Sequence, residues 1–218
     1  MKTATAKERI LKEIRRALLE KQDNPYLNLE ETPLYNDFQD PLEIEFAKQF
    51  TAMSGKFVFC EDELDFAENL VTLAERESLH KIFVWEKPLQ QLLNNFGFPF
   101  YSKDKSFKEA QAGITLCEAL IARNGSVLVS NKGPAGRRLS IYPSFHIILA
   151  YTSQLVPDIK DGLQKMKDRY KDEIPSMISV ITGPSRTADI EKTLVLGAHG
   201  PKELYVFLID DSIMPDKA

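Results

Sequence analysis

From residue 46 to residue 209, short apolar runs alternate with amphipathic stretches, and this alternation constrains the fold more than any other feature of the chain. The runs 56–60 (KFVFC), 81–85 (KIFVW), 126–130 (SVLVS), 145–151 (FHIILAY), 177–182 (MISVIT) and 203–209 (ELYVFLI) read as strands. They carry almost no in-out polar alternation, which is the pattern of strands covered on both faces. Between them, 64–77 places Leu64, Ala67, Leu70, Val71 and Ala74 on one helical face, and 89–95 is a short helix ending at Gly97. The stretch 113–123 (GITLCEALIAR) also reads as a helix, stopped by Asn124-Gly125, and 158–170 as another. Strands separated by helices call for a largely parallel sheet with right-handed crossovers. The expected fold class is therefore α/β, a mostly parallel sheet flanked by helices, over residues 46–218.

Residues 1–45 differ from this body. The segment 5–21 has Ile10, Ile14 and Leu18 at helical spacing, with Leu11 and Ala17 beside them. Residues 1–22 hold seven basic and three acidic side chains, whereas 23–45 hold seven acidic and none basic, with Pro25, Pro33 and Pro41. This predicts a basic amphipathic helix followed by an acidic, proline-punctuated linker. The helix is either a solvated face packing one stripe on the body or a docking arm. A membrane-surface role is disfavoured because no Trp or Phe lines the stripe.

Composition removes several function classes. The chain has 28 Lys plus Arg against 32 Asp plus Glu, a net charge of −4, which is no nucleic-acid signature. No segment reaches the about 20 apolar residues that span a bilayer. Lys7, Glu8, Arg9, Lys12 and Glu13 interrupt any secretory apolar core near the start, so a cytoplasmic protein is expected. Two cysteines, Cys60 and Cys117, cannot ligate an iron–sulfur cluster within this chain, and with three histidines they form no zinc spacing. The phosphate-loop, nucleophile-elbow, zincin and dinucleotide fingerprints are also missing. No metal ligands are expected.

The candidate chemistry lies in glycine-bearing loops. In 181–191 (ITGPSRTADIE) a strand runs into Gly183, Ser185, Arg186, Thr187 and Asp189. At the carboxyl end of a parallel strand this would open a helix whose N–H groups face an anion, with Arg186 as a bidentate clamp and Asp189 orienting it. The plainer alternative is an ordinary strand-to-helix connection capped by Ser185 or Thr187. In 196–202 (LGAHGPK), His199 lies between Gly197 and Gly200, placed to donate to an oxyanion or to carry a proton, or simply to satisfy loop carbonyls. Arg123, Asn124 and Gly125 form a turn that either ends a helix or faces the same crevice. The loop 132–138 carries Lys132, Arg137 and Arg138 and reads as a flap over an anion or a solvated tip. His146, inside an apolar run, reads as a core or sheet-edge residue. Cys60 and Cys117 read as small core residues.

The stretches 113–130, 137–150 and above all 181–210 resemble the LUD-domain family, and within it the lactate utilization protein C group. The resemblance implies a fold similar to the NagB/RpiA/CoA-transferase-like architecture. It also implies a place in a bacterial three-protein system that oxidises L-lactate to pyruvate. There the two partner proteins carry the iron–sulfur clusters and this chain carries none. The family supplies no catalytic residue to carry over. Where many members read IAETG, this chain has Ile121-Ala122-Arg123-Asn124-Gly125, which reverses the local charge and suggests a more anionic ligand.

Three functions fit this reading. The first is a cluster-free accessory subunit of an iron–sulfur lactate-oxidising system, with a small anionic metabolite held by Gly183, Ser185, Arg186, Thr187 and His199. The second is a free-standing enzyme of the same fold acting on a phosphorylated or acyl small molecule, for which Glu118 and Asp189 are the available carboxylates. The third is a ligand-sensing module without turnover.

Overall fold

Every strand of the main sheet runs the same way. In the computed structural model, which describes residues 5–19, 35–135, 137–187 and 195–212, the chain divides into a unit of residues 1–37 and a unit of residues 38–218. In the first unit, α1 (Ala6–Leu19) starts at a capping box: the Thr5 N–H donates to Glu8 Oε2 at 2.7 Å and the Glu8 N–H donates to Thr5 Oγ1 at 3.3 Å. No residue of α1 is buried, and Ile10, Ile14 and Leu18 are 61%, 50% and 76% exposed. Lys21 and residues 23–34 of the acidic stretch lie outside the described residues.

The second unit opens with α2 (Leu42–Ala52), so 42–45, read from sequence as linker, form the first turn of a helix. It continues through β1 (Lys56–Cys60), α3 (Glu63–Arg76), β2 (Ile82–Val84) and α4 (Lys87–Asn95). Asp62 caps α3 by accepting from the Asp65 N–H at 2.8 Å. Next come β3 (Ala112–Leu116), β4 (Ala119–Ile121), β5 (Ser126–Ser130), β6 (Phe145–Tyr151), β7 (Leu155–Val156) and α5 (Ile159–Tyr170). The chain then passes through β8 (Ile178–Ile181), β9 (Arg186–Thr187), β10 (Val195–Leu196) and β11 (Glu203–Ile209).

Five strands form the parallel sheet, in the order β1-β11-β6-β3-β2. Alternate residues of β6 feed two cores. Ile147 and Leu149 pack with Phe66, Leu70 and Leu73 of α3 and Leu89, Leu92 and Leu93 of α4. Ile148 and Ala150 pack with Phe46 and Phe50 of α2 and with Leu120, Val127 and Val129. Each fully buried large side chain contributes about 1.5–3 kcal/mol, which explains why the central strands tolerate almost no polar residue. His146 and its partner Thr115 are exceptions. His146 is fully buried on β6, with Nε2 2.9 Å from Thr115 Oγ1, and burial pushes its pKa down to about 3, so it stays neutral. It is a core histidine rather than a sheet-edge one.

The second core is closed by a smaller sheet, β7-β4-β5-β8, in which β5 is antiparallel to both β4 and β8. This corrects two expectations. Residues 113–123 are not a helix but β3, a tight turn, β4 and a 3₁₀ turn at Ala122–Asn124. The stretch is buried on both sides, so its leucines and alanines fit either period. Gly113 admits a close neighbour here: a Cβ there would stand 2.6 Å from the Leu139 carbonyl oxygen, so Leu139 lies directly on the sheet at this point. Likewise, β8 does not belong to the parallel sheet, so Gly183 does not follow one of its carboxyl ends.

Two glycines seat α2. Gly125 (φ +60°) and Gly183 (φ +78°) have the left-handed backbone that disfavours other residues. A Cβ at Gly125 would overlap the backbone of Gln49 and Phe50, and one at Gly183 would overlap the Met53 carbonyl. Gly97 (φ +68°) has the same backbone but nothing within 4 Å of its Cβ position. Gly125→Ala is therefore expected to lower stability by about 2–4 kcal/mol, whereas Gly97→Ala loses only the left-handed penalty of about 1–2 kcal/mol. Urea midpoints of the two variants check this, and equal losses would show that α2 moves aside.

Candidate functional site

The sequence motifs converge, but mainly on one another. Ser126 Oγ and Thr182 Oγ1 are 2.6 Å apart and tie the start of β5 to the end of β8. The Ser185 N–H donates to the Pro201 carbonyl at 2.9 Å and the Gly197 N–H donates to the Ser185 carbonyl at 3.0 Å. Gly200 packs on the Ser185 side chain, 3.0 Å from Cβ to Cβ position. Arg186 and Thr187 do not open a helix but form β9, paired antiparallel with β10. The described residues 185–187 therefore present no helix N-terminus to an anion. Asp189 lies outside the described residues.

Two arginines serve the scaffold. The Arg186 Nη2 donates to the Met53 carbonyl at the end of α2. Arg123 Nε donates to Asp158 Oδ2 at 2.9 Å, and its guanidinium stands 4.4 Å from the Phe38 ring centroid. Asp158 in turn caps α5. Asn124 is exposed at the third position of the 3₁₀ turn, before Gly125. The reversed charge of this turn is thus balanced by Asp158, and no ligand is needed to balance it.

His199 has a different setting. Gly197, Ala198, His199 and Gly200 form one side of an open groove of about 450 Å³, with Arg137, Arg138, Ile141 and Tyr142 on the other. The groove lies by the amino ends of β6 and β11, where the Lys202 and Glu203 N–H groups both donate to the Ser144 carbonyl. The loop that carries Lys132, Arg137 and Arg138 is anchored, because Ala135 and the following Leu139 are buried against Phe83 and Phe107, while its three basic side chains are exposed. Arg138 is held over the rings of Phe107 (4.6 Å) and Trp85 (5.4 Å). The groove combines two guanidinium groups with an exposed imidazole. Arg186 does not line it.

A second cavity, about 160 Å³, opens at the opposite end of the sheet, where β2 and β3 finish. Its carboxylates follow the strands directly. Glu86 comes two residues after β2, and its Oε2 accepts from the Leu116 N–H at 2.7 Å. Glu118 comes two residues after β3 and is 10% exposed. Glu118 accepts from Ser130 Oγ at 2.6 Å, Tyr170 OH at 2.8 Å and Arg169 Nη1 at 2.9 Å. Burial, and then the charge of Glu118, hold the Glu86 carboxyl above the usual range. Glu86, Ser130, Arg169 and Tyr170 were not singled out from sequence. The available signal was a carboxylate directly after an apolar strand, at the end of an α/β sheet where ligands usually bind. Cys117 lines this cavity as a buried thiol whose pKa burial pushes up.

Two outcomes follow. Arg123→Glu sets a second carboxylate against Asp158 and is expected to cost about 1–3 kcal/mol, with Arg123→Met less harmful, in thermal or urea unfolding. Glu86 is raised on folding, so the stability it favours is complete below the ordinary carboxyl pKa of 4.5 and is lost as pH rises through its raised value. Glu86→Gln should therefore gain stability relative to the parent as pH increases from 4.5 to neutrality. A constant difference across that range would refute the shift.

Comparison with known proteins agrees with this architecture. The LUD-domain profile matches residues 101–209, half of the chain. Lactate utilization protein C of Bacillus velezensis is 33% identical over 130 residues, 59% of this chain and 51% of that protein. The Anoxybacillus flavithermus protein of the same name is 29% identical over 157 residues, 72% of this chain and 64% of that protein. The chain spans about half the length of most of the curated relatives it matches. A crystal structure of a DUF162 family protein from Deinococcus radiodurans superposes with a TM-score of 0.61 at 17% identity, covering 77% of this chain and 96% of that one. The profile match and these relatives together establish that the chain belongs to the LUD-domain family.

Proposed function

We propose that this chain is a cluster-free component of a lactate-utilization system, and that its basic groove holds a small anionic metabolite. The names of its relatives support the first part. The convergence of Arg137, Arg138 and His199 on one groove carries the second. Arg138 is pre-oriented by two aromatic rings, so less freedom is lost when an anion binds. Arg137 supplies further N–H donors, and His199 supplies a neutral donor or a proton carrier. Gly197 and Gly200 keep the wall beside the imidazole low. Ser185 supports this wall through its backbone bonds to Gly197 and Pro201, and Arg186 beside it ties the strand to the end of α2.

Electron transfer falls to partners in this reading. The two cysteines of the chain sit apart in different cores, and burial raises the Cys60 thiol to about 12. Neither is disposed to ligate iron as a thiolate. Two iron–sulfur proteins would supply the clusters. No helix among the described residues is long and apolar enough to cross a membrane.

Two measurements test the proposal. Anaerobic L-lactate oxidation by the iron–sulfur partners should require the chain. Acetate, pyruvate and inorganic phosphate, titrated into the full chain, should include at least one anion whose affinity falls when Arg137→Ala and His199→Ala are combined. Loss of one charge-assisted contact corresponds to about 1.5–3 kcal/mol. Oxidation that proceeds unchanged without the chain would overturn the role. Anion affinity indifferent to both substitutions would overturn the site.

A further inference from the structure

The small cavity at the carboxyl ends of β2 and β3 poses a specific hydrogen-bonding problem. Glu86 Oε2 is satisfied by the Leu116 N–H, but no described residue donates to Oε1. That oxygen faces Gly133, whose Cβ would stand 3.2 Å from it, so the absence of a side chain at 133 keeps the space beside Oε1 open. Glu118 offers little to a ligand, because Ser130, Tyr170 and Arg169 already donate to it. Arg169 spends one N–H group on Glu118. It is half exposed and its guanidinium also reaches the Tyr170 hydroxyl, which leaves further N–H groups of the five-donor fork for a ligand at the cavity edge. The cavity therefore presents an acceptor inside and unspent guanidinium donors at its edge, with Leu116 and Cys117 as apolar wall between polar groups.

These features set the ligand. It must donate a hydrogen bond to Glu86, offer a carboxylate to Arg169, and be short, since about 160 Å³ leaves room for a few heavy atoms beyond those groups. We infer that this cavity is a binding site for a short 2-hydroxy acid, its hydroxyl donating to Glu86 Oε1 and its carboxylate held by Arg169. The inference rests on the lactate-utilization reading for the choice of hydroxyl over amine, and it assigns to that reading a site separate from the basic groove. The Arg169–Glu118 pair leaves the cavity without net charge from those two groups. Glu86 is then the group that distinguishes a hydroxy acid from the matching keto acid, because a ketone oxygen has no hydrogen to donate to a carboxylate.

The test is direct binding to the full chain, read by calorimetry or ligand NMR at pH 8, with L-lactate, pyruvate and L-alanine as probes. L-lactate should bind about tenfold or more tightly than pyruvate, since an ionised acceptor is left unpaired by the keto acid. Glu86→Gln, whose amide both donates and accepts, should collapse that preference. Gly133→Val should abolish binding by filling the space beside Oε1, and Arg169→Met should weaken both acids. Circular dichroism of each variant separates loss of the site from loss of the fold. Glu86→Gln keeps shape and carries the decision if the others misfold. Equal affinity for L-lactate and pyruvate, or a preference unaffected by Glu86→Gln, would overturn the inference. Tighter binding of L-alanine than of L-lactate would also overturn it, in favour of an amino acid. A chain that binds L-lactate here but is dispensable for lactate oxidation would leave the site standing and remove the pathway role. The reverse result would do the opposite.

Discussion

The seat of α2 on Gly125 and Gly183 is the contact on which the rest of the body depends. At both points a helix backbone lies where a side chain would otherwise be. This close approach buries Phe46 and Phe50, whose rings stack at 5.3 Å, in the core between the parallel sheet and the smaller sheet. It also fixes the start of β5 and the end of β8, and the Ser126–Thr182 contact joins those two points. The Arg186 bond to the Met53 carbonyl adds a polar tie at the helix end, where a carbonyl has no partner within the helix. The loops that the sequence makes conspicuous are thus a mould for α2 first, and they support the groove beside His199 second.

The sequence alone was enough to recognise most elements that are buried on a single plan. The strand 203–209 was read with its observed bounds, because an uninterrupted apolar run allows no other arrangement between turn residues. The helix 158–170 was legible for a different reason: Asp158 and Asp161 form a capping box at its start. The stretch 113–123 reads as helix from sequence and folds as strand because burial on both sides erases the period that separates the two. The small cavity depends on this stretch being a strand. With β3 taken as helix, Glu118 loses its place at a strand end and Glu86 loses its neighbour. Arg186 departs from its expected role for a different reason. Its sequence surroundings suit an anion clamp, but the acceptor it meets is a carbonyl 133 residues earlier, and nothing local announces that contact.

The two candidate sites lie at opposite ends of the same sheet and differ in charge. The groove by the amino ends of β6 and β11 gathers Arg137, Arg138 and His199. The cavity at the carboxyl ends of β2 and β3 gathers Glu86 and Glu118, with Arg169 offsetting one of them. This separation has a simple electrostatic use. An anion is drawn to the groove by charge, with modest demands on geometry. The cavity lacks a charge surplus in its favour, so it can select only by fitting donors to acceptors. Sites of these two kinds suit different tasks, recruitment at one end and discrimination at the other.

The turn 121–125 shows how such a scaffold absorbs a change of charge. An acid at position 123 would face Asp158, the cap of α5, and two carboxylates there would repel each other. Arg123 instead pairs with Asp158 at 2.9 Å and lies over Phe38. Both side chains of the pair are about one-quarter exposed, so solvent screens the pair only in part. The basic residue is therefore tied to the choice of cap at 158: with Asp158 in place, a cation at 123 is the locally consistent residue whatever ligand the protein holds. The charge reversal is explained within the scaffold, and the ligand's identity has to be read from the groove and the cavity instead.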